Sequence, residues 1–447
     1  MSIDPNPWRR DLAALLRLTV PVAAARLGVM AMGLTDAIVV GRYSPTELGF
    51  MALGWTLPGV VMVGAMGFLT GVQVMTSRYI GEGRLDLTGG VFRRGLRYAL
   101  GMGLAAGIVL WLIGPAILKT FNMAPGLAEG SAAPLRIFAS SLPMVLIATC
   151  ASTYLEALGR AGVSMAVMWI ANIVNLGFDL ILVPGLFGLH PMGAAGSAWA
   201  TFSARTFLAV VLVSWIFRMK DARALGLLSP AGHNPMAARE QRRLGYGAGA
   251  SQLVEAAAFS GMNVIAGWVS ALTVAGWAVV LNLSAIVFMT PLGLSVSTAV
   301  LVGRAYGARD MEGVKRAAWL GFGVATAYGL IVAALVFAFR HQIAAAYSPD
   351  PALMAISVAG LALAGLFFMF DAVQVVAAQA LRARADVLMP TITHIASYAV
   401  VMLPLGWLLA DRLHLGVRGI LLAVIAASWM SALLLIGRFW ALGRQEA

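Results

Sequence analysis

Apolar residues run along this chain in long blocks, interrupted by short clusters of Gly, Pro and charge. A block of about 20 apolar residues is enough to cross a bilayer as a helix. The interruptions predict six spans near residues 14–40, 49–77, 95–117, 134–156, 162–188 and 193–217. Six more follow near 246–270, 274–303, 316–339, 353–380, 387–410 and 417–440. The longest hydrophilic stretch, Arg218 to Arg243, joins the two sets. The expected fold class is therefore all-α and integral to the membrane, with twelve transmembrane helices in two pseudo-symmetric six-helix lobes. The expected organisation is an N-lobe over 1–217, a cytoplasmic linker over 218–245 and a C-lobe over 246–447.

The two halves resemble each other in sequence. ELGFMALGW from Glu47 lies 226 positions before TVAGWAVVL from Thr273, and the same offset carries Arg78 and Gly81 onto Arg304 and Gly307. EALGRAGVSM around Arg160 resembles QALRARADVLM around Arg384, and LHPMGAAG resembles LHLGVRG, at offsets of 223 to 224. Six spans per copy preserve orientation, so the repeats are parallel, related by an axis along the membrane normal. At the 226 offset Asp36 falls on Met262 and Glu255 on Val29, so the scaffold is repeated but the acids are not.

Composition agrees with the pattern. The 447 residues are 60% hydrophobic and 11% charged, against about 45–50% and about 25% in soluble domains, and the mean hydropathy is +0.87. The net charge of +12 would suggest nucleic acid in a soluble protein, but no basic run with interleaved aromatics supports that here. Of the 31 Lys and Arg, 23 lie at the termini and even-numbered loops, 6 on the other side, and Arg26 and Arg205 within spans. The positive-inside rule then places both termini in the cytoplasm. The start MSIDPNPWRRD leads into a stretch long enough to remain as a span, so no cleavable signal peptide is expected. The single cysteine, Cys150, excludes an internal disulfide and reads as a small buried hydrophobe.

An ionisable side chain at bilayer depth costs about 2.5–3.5 kcal/mol on insertion scales, so each one needs a function or a partner. Four carboxylates fall inside the predicted spans: Asp36, Asp179, Glu255 and Asp371. On the fifth span Asn172, Asn175 and Asp179 share one helical face, which Asp36 of the first span could meet. In the second half Gln252 and Glu255 stand three residues apart on the seventh span, with Asn263 two turns further on; Asn282 and Ser284 lie on the eighth, and Asp371 and Gln374 stand three apart on the tenth. Acids with amide neighbours can take a proton or, through oxygen ligands, Na⁺. Arg26 and Arg205 are the candidate structural partners for these charges. Pro21, Pro58, Pro143, Pro291 and Pro404 bend helices and free carbonyls. The 23 Met residues, with Phe259, Phe288, Phe368 and Phe370, offer an adaptable lining for flat apolar cations.

Taken together, VP…MGLTDAIVVGR, GEGR, NIVNLGFD followed by GAAGSAWAT, VGRAYGARD and FDAVQVVAAQALRARAD resemble, in order and over essentially the whole chain, the multidrug and toxic compound extrusion (MATE) transporters. The resemblance implies secondary active efflux of cationic or aromatic compounds in exchange for Na⁺ or H⁺, by alternating access, with no bound cofactor. Carried over by position, Glu255 and Asp371 match the C-lobe cation site of the branch typified by bacterial norfloxacin exporters. Asp36, Asn175, Asp179 and Thr201 match the N-lobe proton or sodium site. Gln252, Asn282, Gln374, Phe259 and Phe288 complete the expected cavity lining. The expected setting is a bacterial inner membrane, and the expected functional unit is a monomer. A lipid-linked precursor flippase of the same superfamily is the alternative, favoured if Arg26 and Arg205 both line the cavity. An intramembrane enzyme is disfavoured by the lack of HExxH and GxSxG motifs and by five histidines, His190, His233, His341, His394 and His414, mostly in or near loops.

Overall fold

The computed structural model describes residues 6–120, 126–229 and 234–445, and these contain helices and no strand. Twelve helical stretches follow one another: α1 (Pro7–Tyr43), α2 (Pro45–Gly81), α3 (Thr88–Lys119), α4 (Leu127–Ala157), α5 (Ala161–Leu182) and α6 (Gly193–Phe217). Then come α7 (Pro235–Val269), α8 (Ala271–Gly307), α9 (Met311–Tyr347), α10 (Pro351–Ala383), α11 (Leu388–Arg412) and α12 (Gly416–Gln445). Eleven of these, all but α7, are long and apolar enough by composition to cross a membrane. Glu255, Gln252 and Asn263 are part of what dilutes the hydropathy of α7.

Most helices are longer than the spans expected from hydropathy, because polar ends continue the backbone ladder past the apolar block. The expected linker shows this best: its first part runs in turns to Ser229, whereas the chain from Pro235 is already α7. In the opposite sense, α5 stops at Leu182, short of the expected 188. Gly185, Phe187 and Gly188 adopt φ values of 75°, 58° and 83°, which no helix can include. In α11 the ladder widens to π-helix over Ile395–Met402, directly before Pro404, whose missing N–H removes an ordinary i→i−4 bond.

The chain divides into two compact units, residues 24–249 and residues 1–23 with 250–447. The division points lie inside α1 and α7, so each of these helices gives its first part to one unit and its second to the other. In the 24–249 unit α4 is central and packs on α2, α3 and α6. In the other unit α10 holds the same position among α8, α9 and α12. Both are densely buried along their length, so a polar residue on either must find its partners within protein. The outer helices α3 and α9 turn Leu104, Ile108, Leu112, Leu330, Ile331 and Leu335 outward, as lipid contact requires.

The repeat is more regular in the backbone than in the letters. Ser44 and Ser270 cap α2 and α8 through the amides of Glu47 and Thr273, 226 positions apart. Gly159 and Ala385, both with positive φ, close α4 and α10 by the same pair of backbone bonds, again at 226. The offset of 223 to 224 expected around Arg160 and Arg384 is therefore corrected to 226, and only the approach to the sixth helix is three residues shorter, Gly193 matching Gly416. This register pairs Glu156 with Arg382 and Arg160 with Asp386, so the charges are reversed between halves. Arg160 holds Asp221 in a two-pronged contact at 3.0 and 2.7 Å, and Asp386 is held by Arg438 at 2.7 Å. Arg160 keeps the Asp221 carboxyl below its ordinary range. That clamp contributes stability above pH 3.8 and loses it as pH falls below that value, a small effect because both side chains are about 40% exposed.

Helix contacts inside a unit are close enough to demand glycine. A Cβ on Gly103 would lie 2.5 Å from the Cα of Pro143, where α3 crosses α4, whereas one on Gly101 would meet nothing. Gly103→Val should therefore cost about 1–3 kcal/mol of overpacking, seen as a lowered unfolding temperature in detergent, with Gly101→Ala unchanged. Equal melting of the two variants would show that this crossing yields freely.

Candidate cation sites

In the 24–249 unit, α1, α5 and α6 bring together the residues expected from the sequence. Asn175 and Asp179 stand one turn apart on α5 and are fully buried; Asp36 on α1 is 6% exposed and Thr201 on α6 is 3% exposed. The Thr201 hydroxyl donates to Asp36 Oδ2 at 2.7 Å. Asp179 and Asn175 are the other close neighbours of Asp36, and Ser197, one turn before Thr201, neighbours Asp179. Asp36 Oδ1, both Asp179 oxygens and both polar atoms of the Asn175 amide are buried and make no well-formed hydrogen bond. Ionised carboxylates only accept, so two facing acids with orphaned oxygens call for a proton or a cation between them. Asn172 does not join this cluster; its amide donates to the carbonyls of Gly28 and Met168 and ties α5 to α1.

In the other unit, α7, α10 and α11 build a second cluster. Gln374, fully buried on α10, donates from Nε2 to Asp371 Oδ1 at 3.2 Å and to Glu255 Oε1 at 3.3 Å, so one amide spans both acids. Asp371 is 7% exposed, and the Glu255 side chain is 19% exposed. One turn before Glu255, Ser251 Oγ accepts from Arg382 Nη2 at 2.8 Å and lies 2.7 Å from His394 Nδ1. That same nitrogen is 3.9 Å from Glu255 Oε2. Tyr398, in the π-helical segment of α11, sets its ring edge-on to His394 and tilted against Phe259, with centroids 5.5 and 6.1 Å apart.

Other expected residues lie elsewhere. Asn282 is exposed and satisfies itself on the carbonyl of Ala278 in its own helix. Phe288 packs into a different core, with Leu15, Val376 and Ala377, away from Phe259. Gln252 is partly exposed on α7, and Asn263 is exposed. Arg26, a candidate partner for Asp36, instead pairs with Glu156 at 3.2 Å. Arg205 bonds to Ser141 Oγ at 2.6 Å and covers the Trp55 ring at 4.7 Å.

Sequence reasoning missed three residues here. Glu156, a fifth buried carboxylate, occupies the last turn of α4 with 1% side-chain exposure and passes for an interfacial residue beside the loop. Arg382 reads as a loop cation but is 3% exposed; the letters align Glu156 with Gln379, and only the backbone register of 226 matches it to Arg382. His394 is no loop residue but a buried member of α11, inside the expected span 387–410. His233 lies outside the described residues. No group of three or more His, Cys, Asp or Glu arranged to hold a metal occurs among the described residues.

A chain of two like units, each with helices long and apolar enough for a bilayer and acids sealed within the helix packing, is a polytopic membrane protein built on an internal repeat. The sequence profile of the MatE family matches it twice, over residues 21–181 and 248–408. The chain thus belongs to the MatE family of membrane transporters. It is 50% identical over 434 residues to a "Probable multidrug resistance protein NorM" of Caulobacter vibrioides, covering 97% of this chain and 92% of that one. It is 32% identical to "Multidrug resistance protein PmpM" of Pseudomonas aeruginosa, covering 89% and 84%. Its fold matches a solved outward-facing multidrug resistance MATE transporter of the MOP superfamily with TM-score 0.89, at 19% identity and 97% and 95% coverage. It matches the eukaryotic MATE transporter AtDTX14 with TM-score 0.88, at 16% identity and 99% coverage of both.

Proposed function

We propose that this protein is a secondary active exporter of cationic or aromatic compounds, drugs among them, that exchanges its cargo for Na⁺ or H⁺ by alternating access. The observation that carries this reading is the pair of acid clusters within the helix packing: Asp36 with Asp179, whose buried oxygens are largely without hydrogen bonds, and Glu255 with Asp371, which share the one amide nitrogen of Gln374. The relatives named for multidrug resistance support the cargo class. The setting proposed is a bacterial inner membrane, with both termini cytoplasmic and the monomer as working unit.

The scheme is competition. A coupling ion entering down its gradient occupies the acids and removes the negative charge that holds a cationic cargo, which leaves; ion release on the other side restores the charge. In the N-terminal half Asp36 and Asp179 would receive the ion, with Asn175 and Thr201 as neutral oxygen donors. In the C-terminal half Glu255 and Asp371 would receive it, with Gln374 holding their spacing and Phe259 beside them. The flippase reading draws on cationic side chains open to a pyrophosphate, and Arg26 is already neutralised by Glu156, which favours the exporter.

Inverted vesicles given a fluorescent organic cation in the medium, with Na⁺ and pH gradients imposed separately, test the reading, export appearing as uptake into the lumen. Export driven by at least one gradient is expected. Export indifferent to both would end it.

A further inference from the structure

Each unit sets beside its acids an arginine that the exchange scheme leaves unused, Arg382 buried and Arg205 partly buried. In the 24–249 unit Arg205 lies one turn along α6 from Thr201, whose hydroxyl holds Asp36, and its guanidinium rests on Ser141 and Trp55. In the other unit Arg382 rests on Ser251, one turn along α7 from Glu255. The repeat does not map one onto the other, since Arg205 stands on the sixth helix of its half and Arg382 on the fourth. The same composition, two acids with one arginine held by a serine close by, has been reached from two different positions.

Both guanidinium groups bond to serines and stay within electrostatic reach of an acid, Arg205 of Asp36 and Arg382 of Glu255. Arg382 Nε is buried with no partner. An arginine stays charged in protein interiors, so it is a constant in the local balance where a lysine is not. Ser251 Oγ accepts from Arg382 Nη2 and lies 2.7 Å from His394 Nδ1, a contact that the neutral imidazole makes in either tautomer, and the imidazole is counted as neutral. Arg26 with Glu156 is neutral by itself.

A buried charge persists only when compensated. Two ionised acids and one arginine leave one net negative charge in each cluster. One monovalent cation cancels it, and a second would leave an uncompensated positive charge in the protein interior. We infer that Arg382 and Arg205 limit their acid pairs to a single monovalent coupling cation each. This inference rests on the exchange reading and adds to it what sets the number of ions per turnover.

The test uses the full chain in proteoliposomes with tetraphenylphosphonium as cargo. The ion gradient that just holds a given tetraphenylphosphonium gradient gives the number of coupling ions, n. The wild type should show n of one or two, according to whether one or both clusters couple. In a cluster that couples, Arg382→Gln or Arg205→Gln should raise n by one, and the Arg→Lys variants should keep the wild-type value. Unchanged n in both Gln variants would overturn the inference, as would n of three or more in the wild type, a result that needs no variant to fold. Absence of ion-driven transport in the wild type would instead overturn the exchange reading itself.

Discussion

Asp371→Asn should abolish export coupled through the C-terminal half while leaving the protein folded and inserted. The substitution is isosteric, and its remaining carbonyl oxygen can still accept from Gln374 Nε2, now 3.2 Å from Asp371 Oδ1. What it removes is charge. With Asp371 neutral, Glu255 and Arg382 balance each other, and the cluster no longer has a net negative charge to offer a cation. The attraction lost at about 5 Å and an effective dielectric near 20 is about 3 kcal/mol, or roughly a hundredfold in ion affinity. Ion-driven uptake into inverted vesicles, which reports export, should fall about tenfold or more, with an unfolding temperature in detergent close to wild type. Asp36→Asn is the matched experiment in the other half, where the Asn amide keeps an oxygen for Thr201. Whichever variant retains wild-type efflux marks a cluster that does not couple, and retention in both would remove the acids from the mechanism.

The division of labour between sequence and structure can be read from these residues. Asp36, Asn175 and Asp179 were legible because a 3.6-residue period puts Asn175 and Asp179 on one face and the cost of burial singles out the acids. Glu255, Asp371 and Gln374 were legible for the same reason. The helices themselves follow from apolar blocks of bilayer length, and their extension past those blocks from caps such as Ser44, Ser270 and Asp310. Asn282 and Phe288 stand apart from the acid clusters, which the sequence does not reveal because α8 is apolar on nearly every side and no periodicity in it tells the face toward Glu255 from any other. Arg26 was unreadable for a different cause. Its partner lies 130 residues away, at a helix end where a charge is unremarkable, and only packing shows that the turn is buried.

Glu156→Ala is expected to be the most damaging single substitution for stability. Arg26 Nη2 reaches both Glu156 oxygens at 3.2 Å, and its Nε is already buried without a partner. Removing the carboxylate leaves a guanidinium with 15% side-chain exposure and nothing to compensate it. Breaking one side of such a pair costs about 3–5 kcal/mol, whereas replacing both sides by apolar groups of like volume is often neutral or better. Glu156→Ala should therefore lower the unfolding temperature followed by tryptophan fluorescence in detergent, and Arg26→Met with Glu156→Met should recover most of the loss. The same pair ties α1, just past Ala23 where the chain passes from one unit to the other, to the end of the central helix α4. Equal loss in the single and double variants would mean that the pair holds that junction through its charges rather than merely neutralising them.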